Sequence, residues 1–181
     1  MGRLPYLTAE DLSPENRDLL KRGINLHRAL VHSPEAARIF SRIGQYIRFD
    51  SELDSRIREM AILQVGFMTK SPYEYSHHIK IGRDFGVTDD DIRAIALETS
   101  GHDSVLPAFD RAVLRAAREM TKDLRISDET FAILKSELDN QQLVDLVLVI
   151  AHYNSVVRIL ATLEIDVEPE YQAYLDEFPF S

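Results

Sequence analysis

The sequence contains no cysteine. That single absence removes disulfides, thiolate nucleophiles and cysteine-ligated zinc together. Clean apolar runs are missing as well. The most apolar stretch, LVDLVLVIAHYNSVVRILATL, is interrupted by Asp145, His152, Asn154 and Arg158. It falls short of the ~20 uninterrupted residues expected of a membrane span, and reads instead as a buried helix. The opening MGRLPYLTAEDLSPE turns polar and acidic where the apolar region of a signal peptide would stand. A basic excess is also absent: the net charge is −9, and the cations are interspersed with acids, as in DSRIREM and DRAVLRAARE. Binding phosphate backbones requires a basic surface. No nucleic acid and no membrane are therefore expected as partners, and a cytoplasmic location is the default.

Strand patterns are nearly absent, whereas apolar residues at helical spacing are frequent. Apolar residues make up 45% of the 181, enough for the core of one ordinary domain. Helix punctuation separates the segments. Ser13-Pro14-Glu15 predicts a cap and a helix through Leu30, and Ser33-Pro34-Glu35 repeats the device before EAARIFSRIGQYI. Asp50-Ser-Glu-Leu opens a third helix with apolar residues on more than one side, which should therefore be central. Pro72 starts a fourth helix that ends at Gly86, and Thr88 through Asp91 resembles a capping box for a fifth. Further helices are expected over about 107–123, 127–138 and 140–163, followed by an acidic, aromatic tail over 164–181 that wraps the domain or a neighbouring subunit. The fold class is all-α, a single compact domain of about seven or eight helices over 1–181, without linker or internal repeat.

One stretch concentrates chemistry: Ser71-Pro-Tyr-Glu-Tyr-Ser-His-His78. Ser71, Glu74 and His78 stand at i, i+3 and i+7 and share a helix face. Ile81, Gly82 and Phe85 continue that face, so it looks inward. Glu59, one helix upstream among Ile57, Met60 and Ile62, is either at the solvent edge or paired inside. A short connection makes the two helices an antiparallel hairpin. At ~1.5 Å per residue, Glu59 lies about 18 Å from the turn and His78 about 10 Å. Direct contact then needs a large crossing angle or an intervening group.

These residues carry a resemblance. RIREMAILQVGFMTKSPYEYSHHIKIGRDFGVTDDDIRAI resembles the core of the alkylhydroperoxidase D/carboxymuconolactone decarboxylase family, an all-helical group whose members usually form trimers or hexamers. The resemblance centres on about 35–100, with YNSVVRILATLEIDVE similar to the closing helix of decarboxylase-like members. Glu59 takes the place of the family's glutamate and His78 that of its histidine. Ser71 and Glu74 stand where the peroxidase branch has its Cys-x-x-Cys pair. Thiol peroxidase chemistry is therefore not expected. The resemblance implies a cofactor-independent decarboxylase, lyase or isomerase acting on a small carboxylated substrate in a homo-oligomer.

The candidate catalytic residues are His78, Glu59 and Glu74, with His78 as general acid/base and a carboxylate raising its basicity. Tyr75, Arg158 and Ser71 are candidates for substrate binding. Plainer roles stand beside these: Ser71 as an N-cap, Glu74 as an acid favoured in a helix's first turn, Tyr75 as a packing anchor, and Arg158 as the partner of a buried acid such as Glu59. Neither a metal nor a cofactor is expected. Glu74-x-x-His77 has the form of a di-iron element, but no second copy exists. Two alternatives remain open, a non-catalytic oligomeric scaffold and a mononuclear metalloprotein. An enzyme should bring Glu59, Glu74 and His78 to a cavity, whereas a scaffold should have them satisfy one another with no cavity.

Overall fold

Caps and prolines fix most of the helix starts. The computed structural model describes residues 2–180. Among them are nine α-helices: Asn25–Leu30 (α1), Pro34–Gln45 (α2), Ser55–Met68 (α3), Pro72–Asp84 (α4), Asp89–Thr99 (α5), Ala108–Asp123 (α6), Asp128–Glu137 (α7), Asn140–Leu163 (α8) and Gln172–Glu177 (α9). A π-helical segment, Tyr46–Asp50, continues α2, giving ten helices of α or π type where seven or eight were expected. Thr88 and Asp91 close a reciprocal capping box on α5, and Asp139 with Gln142 does the same for α8. Ser127 Oγ accepts from the Thr130 amide to start α7.

The differences from expectation lie at the N-terminal end and in the tail. The helix expected from Ser13 to Leu30 is two pieces, a 3₁₀ segment over Pro14–Leu20 and then α1. Gly23, at φ +66°, takes the left-handed turn that divides them. The third helix begins at Ser55 rather than near Asp50, because Asp54 is the residue whose side chain accepts from the Ile57 amide. The tail forms α9, which packs on α4 and seats Phe178 in the core.

α3 is the axle of the fold. Every residue from Ile57 to Phe67 is buried, and the helix touches α4, α5, α6 and α8. A helix apolar all round belongs inside. Ile57, Ala61 and Val65 join one apolar cluster with Val113, Leu146 and Ile150. Met60, Leu63 and Phe67 join a second with Tyr75, Ile79 and Ile95. At Gly66 the backbone of α4 comes so close that a β-carbon would lie 3.1 Å from the Tyr75 nitrogen.

By length and composition α8 does qualify to cross a membrane, contrary to the expectation that its polar residues disqualify it. Packing makes it a core helix. Leu146, Val149, Ile150, Tyr153 and Val157 are buried, and the buried Asp145 accepts hydrogen bonds from Tyr46 and Ser51. Its outer face carries exposed Val144, Val147 and Leu148.

Candidate active site

The Ser71-Pro72 start sets the phase of α4, so that Glu74 and His78 point the same way. The imidazole of His78 stands between two carboxylates. Its Nδ1 lies 2.6 Å from Glu59 Oε2 on α3, and its Nε2 lies 2.9 Å from Glu74 Oε1 one turn earlier. The contact with Glu59 is direct, with no intervening group. Arg58 Nε donates to the other Glu59 oxygen at 3.0 Å, while its guanidinium lies 4.6 Å from the Phe85 ring centre and one terminal nitrogen donates to the Arg48 carbonyl.

All four charged residues are buried, Glu59 completely. Two cations and two carboxylates balance, which is the condition under which charge survives in a protein interior. Burial opposes the charged form of His78. The attraction of Glu59 and then Glu74, with hydrogen bonds to both, outweighs it and raises the pKa to about 9. With both ring nitrogens facing carboxylates, His78 is an imidazolium at neutral pH. Burial likewise opposes the charge on Glu59, but His78 and then Arg58 hold its carboxyl below the ordinary value. Tyr153 from α8 meets the imidazole edge-on, with ring centres 5.0 Å apart. Burial, followed by the two carboxylates, drives its hydroxyl pKa well above 10, so it remains a proton donor.

A cavity of about 910 Å³ lies against this cluster. Glu74, His78, Tyr153 and His152 line it, whereas Glu59 and Arg58 do not. The two outcomes set against each other in the sequence thus occur together: the carboxylates and the imidazole satisfy one another, and two of the three also border a space large enough for a small organic molecule. Glu59 is a positioning residue behind the wall. Glu74 and His78 are the groups that can meet a ligand. Arg22, His27 and Arg48 line the same cavity and supply it with cationic and neutral nitrogen groups; Ile24, Leu26 and Phe40 give it apolar surface.

The other sequence candidates lie elsewhere. Tyr75 is packed between Phe67 and Phe180, with ring centres 5.5 and 5.0 Å away, and does not reach the cavity. Its position next to Glu74 turns it onto the opposite flank of α4, toward the second apolar cluster. Arg158 does not pair with Glu59. It donates to the Asn154 carbonyl and side-chain oxygen on its own helix. Ser71 and Arg158 instead share a separate groove of about 590 Å³ with Lys70 and Glu164. Ser71 occupies the N-cap position, but its side chain makes no capping hydrogen bond.

His77, adjacent to His78, faces away from the cluster and is stacked between Tyr73 (4.1 Å) and Tyr171 (3.6 Å). Its Nε2 stands 3.0 Å from Glu168, out of hydrogen-bond alignment, while Glu168 accepts from the Asn25 amide and the Tyr73 hydroxyl. Among the described residues, no group of three or more His, Asp or Glu is arranged to hold a metal ion. The donor set explains this at the cluster, where both nitrogens of His78 are directed at carboxylates.

Sequence reasoning missed Arg58, Arg22, His27, Arg48 and Tyr153. Arg58 had a signal: Arg-Glu in the middle of a helix that is otherwise apolar on all sides implies that the two neutralise each other inside. The cavity residues come from separate elements and had none.

Comparison with known proteins agrees with this all-helical fold. The carboxymuconolactone decarboxylase family model matches residues 34–120. No curated protein matches the chain in sequence. Among solved structures, the fold is similar to an alkylhydroperoxidase AhpD core from Ralstonia eutropha JMP134, described as a peroxidase-related protein, with a TM-score of 0.81 and 19% identity over 96% of this chain and 95% of that one. A peroxidase-related protein from Silicibacter sp. TM1040 superposes with a TM-score of 0.75 and 18% identity over 94% and 93%. The debrominase Bmp8 gives 0.80 and 18% over 95% of each chain.

Proposed function

From the premise that this chain belongs to the alkylhydroperoxidase D/carboxymuconolactone decarboxylase family and has none of the cysteines a dithiol cycle needs, we propose that it is a cofactor-independent proton-transfer enzyme. Its reaction class is decarboxylation, another lyase reaction or isomerisation of a small carboxylated organic substrate. One observation carries the reading: an imidazolium maintained by two carboxylates on the wall of a cavity that also presents guanidinium groups and apolar surface. That is a proton source without a metal, a thiol or a redox partner.

In this reading Arg22 and Arg48 attract the substrate carboxylate into the cavity. In decarboxylation the bond to the carboxyl carbon breaks, its electron pair stays on the substrate as an enolate, and carbon dioxide leaves. His78, through its contact with Glu74, delivers a proton to the substrate carbon that had carried the carboxylate and recovers one from water. In isomerisation the Glu74–His78 couple removes a proton at one carbon and returns it at another, with no net change. Glu59 and Arg58 keep the imidazole charged and fixed. A debrominase on the same scaffold, solved with 2,3,4-tribromopyrrole, supports the view that this fold accommodates small flat molecules. Assembly into a homo-oligomer in the cytoplasm belongs to the same proposal. The exposed Val144, Val147 and Leu148 face supports the assembly, and sedimentation velocity measures it.

The test is turnover of a panel of lactone and keto acids, followed by carbon dioxide release and by deuterium exchange at carbon. Glu74→Gln and His78→Gln should each lower kcat by about 10²–10⁴-fold. Unchanged turnover in both would end the assignment. If no acid is turned over or exchanged, the charged cluster is a structural lock, the reading favoured by its internal neutrality.

A further inference from the structure

Besides His77, whose Nε2 stands against Glu168, two residues that line the cavity carry a buried polar atom with no partner within the protein. His27 is only 7% exposed, yet its Nδ1 makes no hydrogen bond. Arg48 Nε is likewise enclosed and unpaired. Native interiors rarely leave such groups unengaged, because a desolvated donor or acceptor destabilises the fold. Both residues border the space that Glu74 and His78 border, and neither has a role in the proton transfer described above.

The two orphans are of opposite kind. Burial, reinforced by the nearby Arg22, pushes the His27 pKa down to about 4. The ring is therefore neutral at pH 7, and a neutral imidazole that donates at one nitrogen accepts at the other. Arg48 Nε is a permanent donor. The cavity thus offers an acceptor at His27 and a donor at Arg48, with a second guanidinium on Arg22. Of the histidines that line this space, two are of opposite character: His78 holds its proton and gives it, while the neutral His27 can present Nδ1 as an acceptor.

We propose that His27, Arg48 and Arg22 form a recognition subsite that selects a hydroxylated carboxylic acid, the hydroxyl donating to His27 Nδ1 and the carboxylate accepting from the guanidinium groups. The proposal rests on reading the cavity as the substrate pocket and names the substrate class more narrowly. His27 acts as a specificity-determining residue and takes no part in the proton transfer.

The test is calorimetric binding to the full chain at pH 7 of phenylacetate, mandelate, 3-hydroxyphenylacetate and 4-hydroxyphenylacetate, which vary the hydroxyl position on one apolar body. At least one hydroxy acid should bind about 5–10-fold more tightly than phenylacetate, the ratio expected of one neutral hydrogen bond. His27→Leu should abolish that preference and leave phenylacetate affinity unchanged. His27→Gln keeps an acceptor and should keep the preference, which preserves the test if the leucine variant folds poorly. Arg48→Met should weaken all four acids alike. A wild-type protein without hydroxyl preference, a preference that survives in His27→Leu, or no binding of any acid would each overturn the subsite and leave only water to engage the two atoms. Binding is read without turnover. A protein that binds with this preference yet catalyses nothing refutes the enzymatic reading alone, and one that turns over acids with no such preference refutes the subsite alone.

Discussion

Two ionic networks grow from neighbouring turns of α3, and only one of them borders a cavity. On one side, Arg56 grips Asp91 of α5 with two hydrogen bonds, at 2.6 and 3.0 Å, and Asp110 of α6 with a third at 2.7 Å. On the other, Arg58 and Glu59 hold His78 and, through it, Glu74. Both contain buried carboxylates. The first combines groups that keep their charge throughout the physiological range and fastens three helices. The second has at its centre a group that can lose its proton, with open space beside it. Buried charge alone therefore does not mark a site. A titratable group whose two neighbours decide its protonation does, once a ligand can reach it.

The comparison can be broken most directly from its two anchors. Glu59→Leu leaves Glu74 alone to offset the two buried cations Arg58 and His78, and should cost about 3–5 kcal/mol in urea denaturation. It should also drop the His78 pKa far below 9 by NMR titration. Arg56→Leu removes a half-buried cation and should cost about 1–3 kcal/mol, with the His78 titration unchanged. If both variants moved His78 equally, the two networks would be a single unit.

A second prediction concerns pH. The folded-state pKa of His78 is raised, from 6.5 to about 9. Its contribution to stability is therefore fully present below pH 6.5 and is lost as the pH rises through 9, to an extent on the order of 3 kcal/mol. Denaturant midpoints at pH 6, 8 and 10 should show the loss in the wild type and not in His78→Gln. A flat profile would mean that the imidazole is not the charged partner of the two acids.

The smallest expected effect comes from the scaffold between the networks. Gly66→Ala places a methyl group 3.1 Å from the Tyr75 backbone nitrogen. Because backbone yields poorly, this should cost about 1–3 kcal/mol and lengthen the Glu59–His78 contact. The His78 NMR signal should shift while that of His27 stays in place.

Much of this was legible in the sequence. Capping residues are local signals, so Thr88 with Asp91, Ser127 and the Pro34 and Pro72 starts could be read directly. The face shared by Glu74 and His78 follows from helical spacing alone. The break at Gly23 was not legible, because Ser13–Leu30 carries helix-forming residues on both sides and only the backbone turn separates them. The cap was read at Asp50, whereas the side chain that accepts from the Ile57 amide is that of Asp54, the same residue type four positions on. Tyr75 and Arg158 stand apart from the cavity for different reasons. Tyr75 lies on the flank that meets α3 and the tail, and Arg158 satisfies itself within its own helix turn. The cavity was beyond reach, since it is assembled from α1, α2, the π segment, α4 and α8, whose mutual placement no spacing encodes.

The stacking of His77 between Tyr73 and Tyr171 has a consequence for how the protein is made. Tyr171 and Glu168 are synthesised well after α3 and α4, and Glu168 also fastens Asn25, which precedes them. Asp166 similarly engages the Gly2 amide and the Tyr6 hydroxyl. Contacts this distant in sequence are slow to form. On a ribosome, α3 and α4 emerge with their charged groups long before the residues that brace the back of α4 exist. The helix carrying Glu74 and His78 is thus braced from behind only after the segment around Glu168 and Tyr171 has been made.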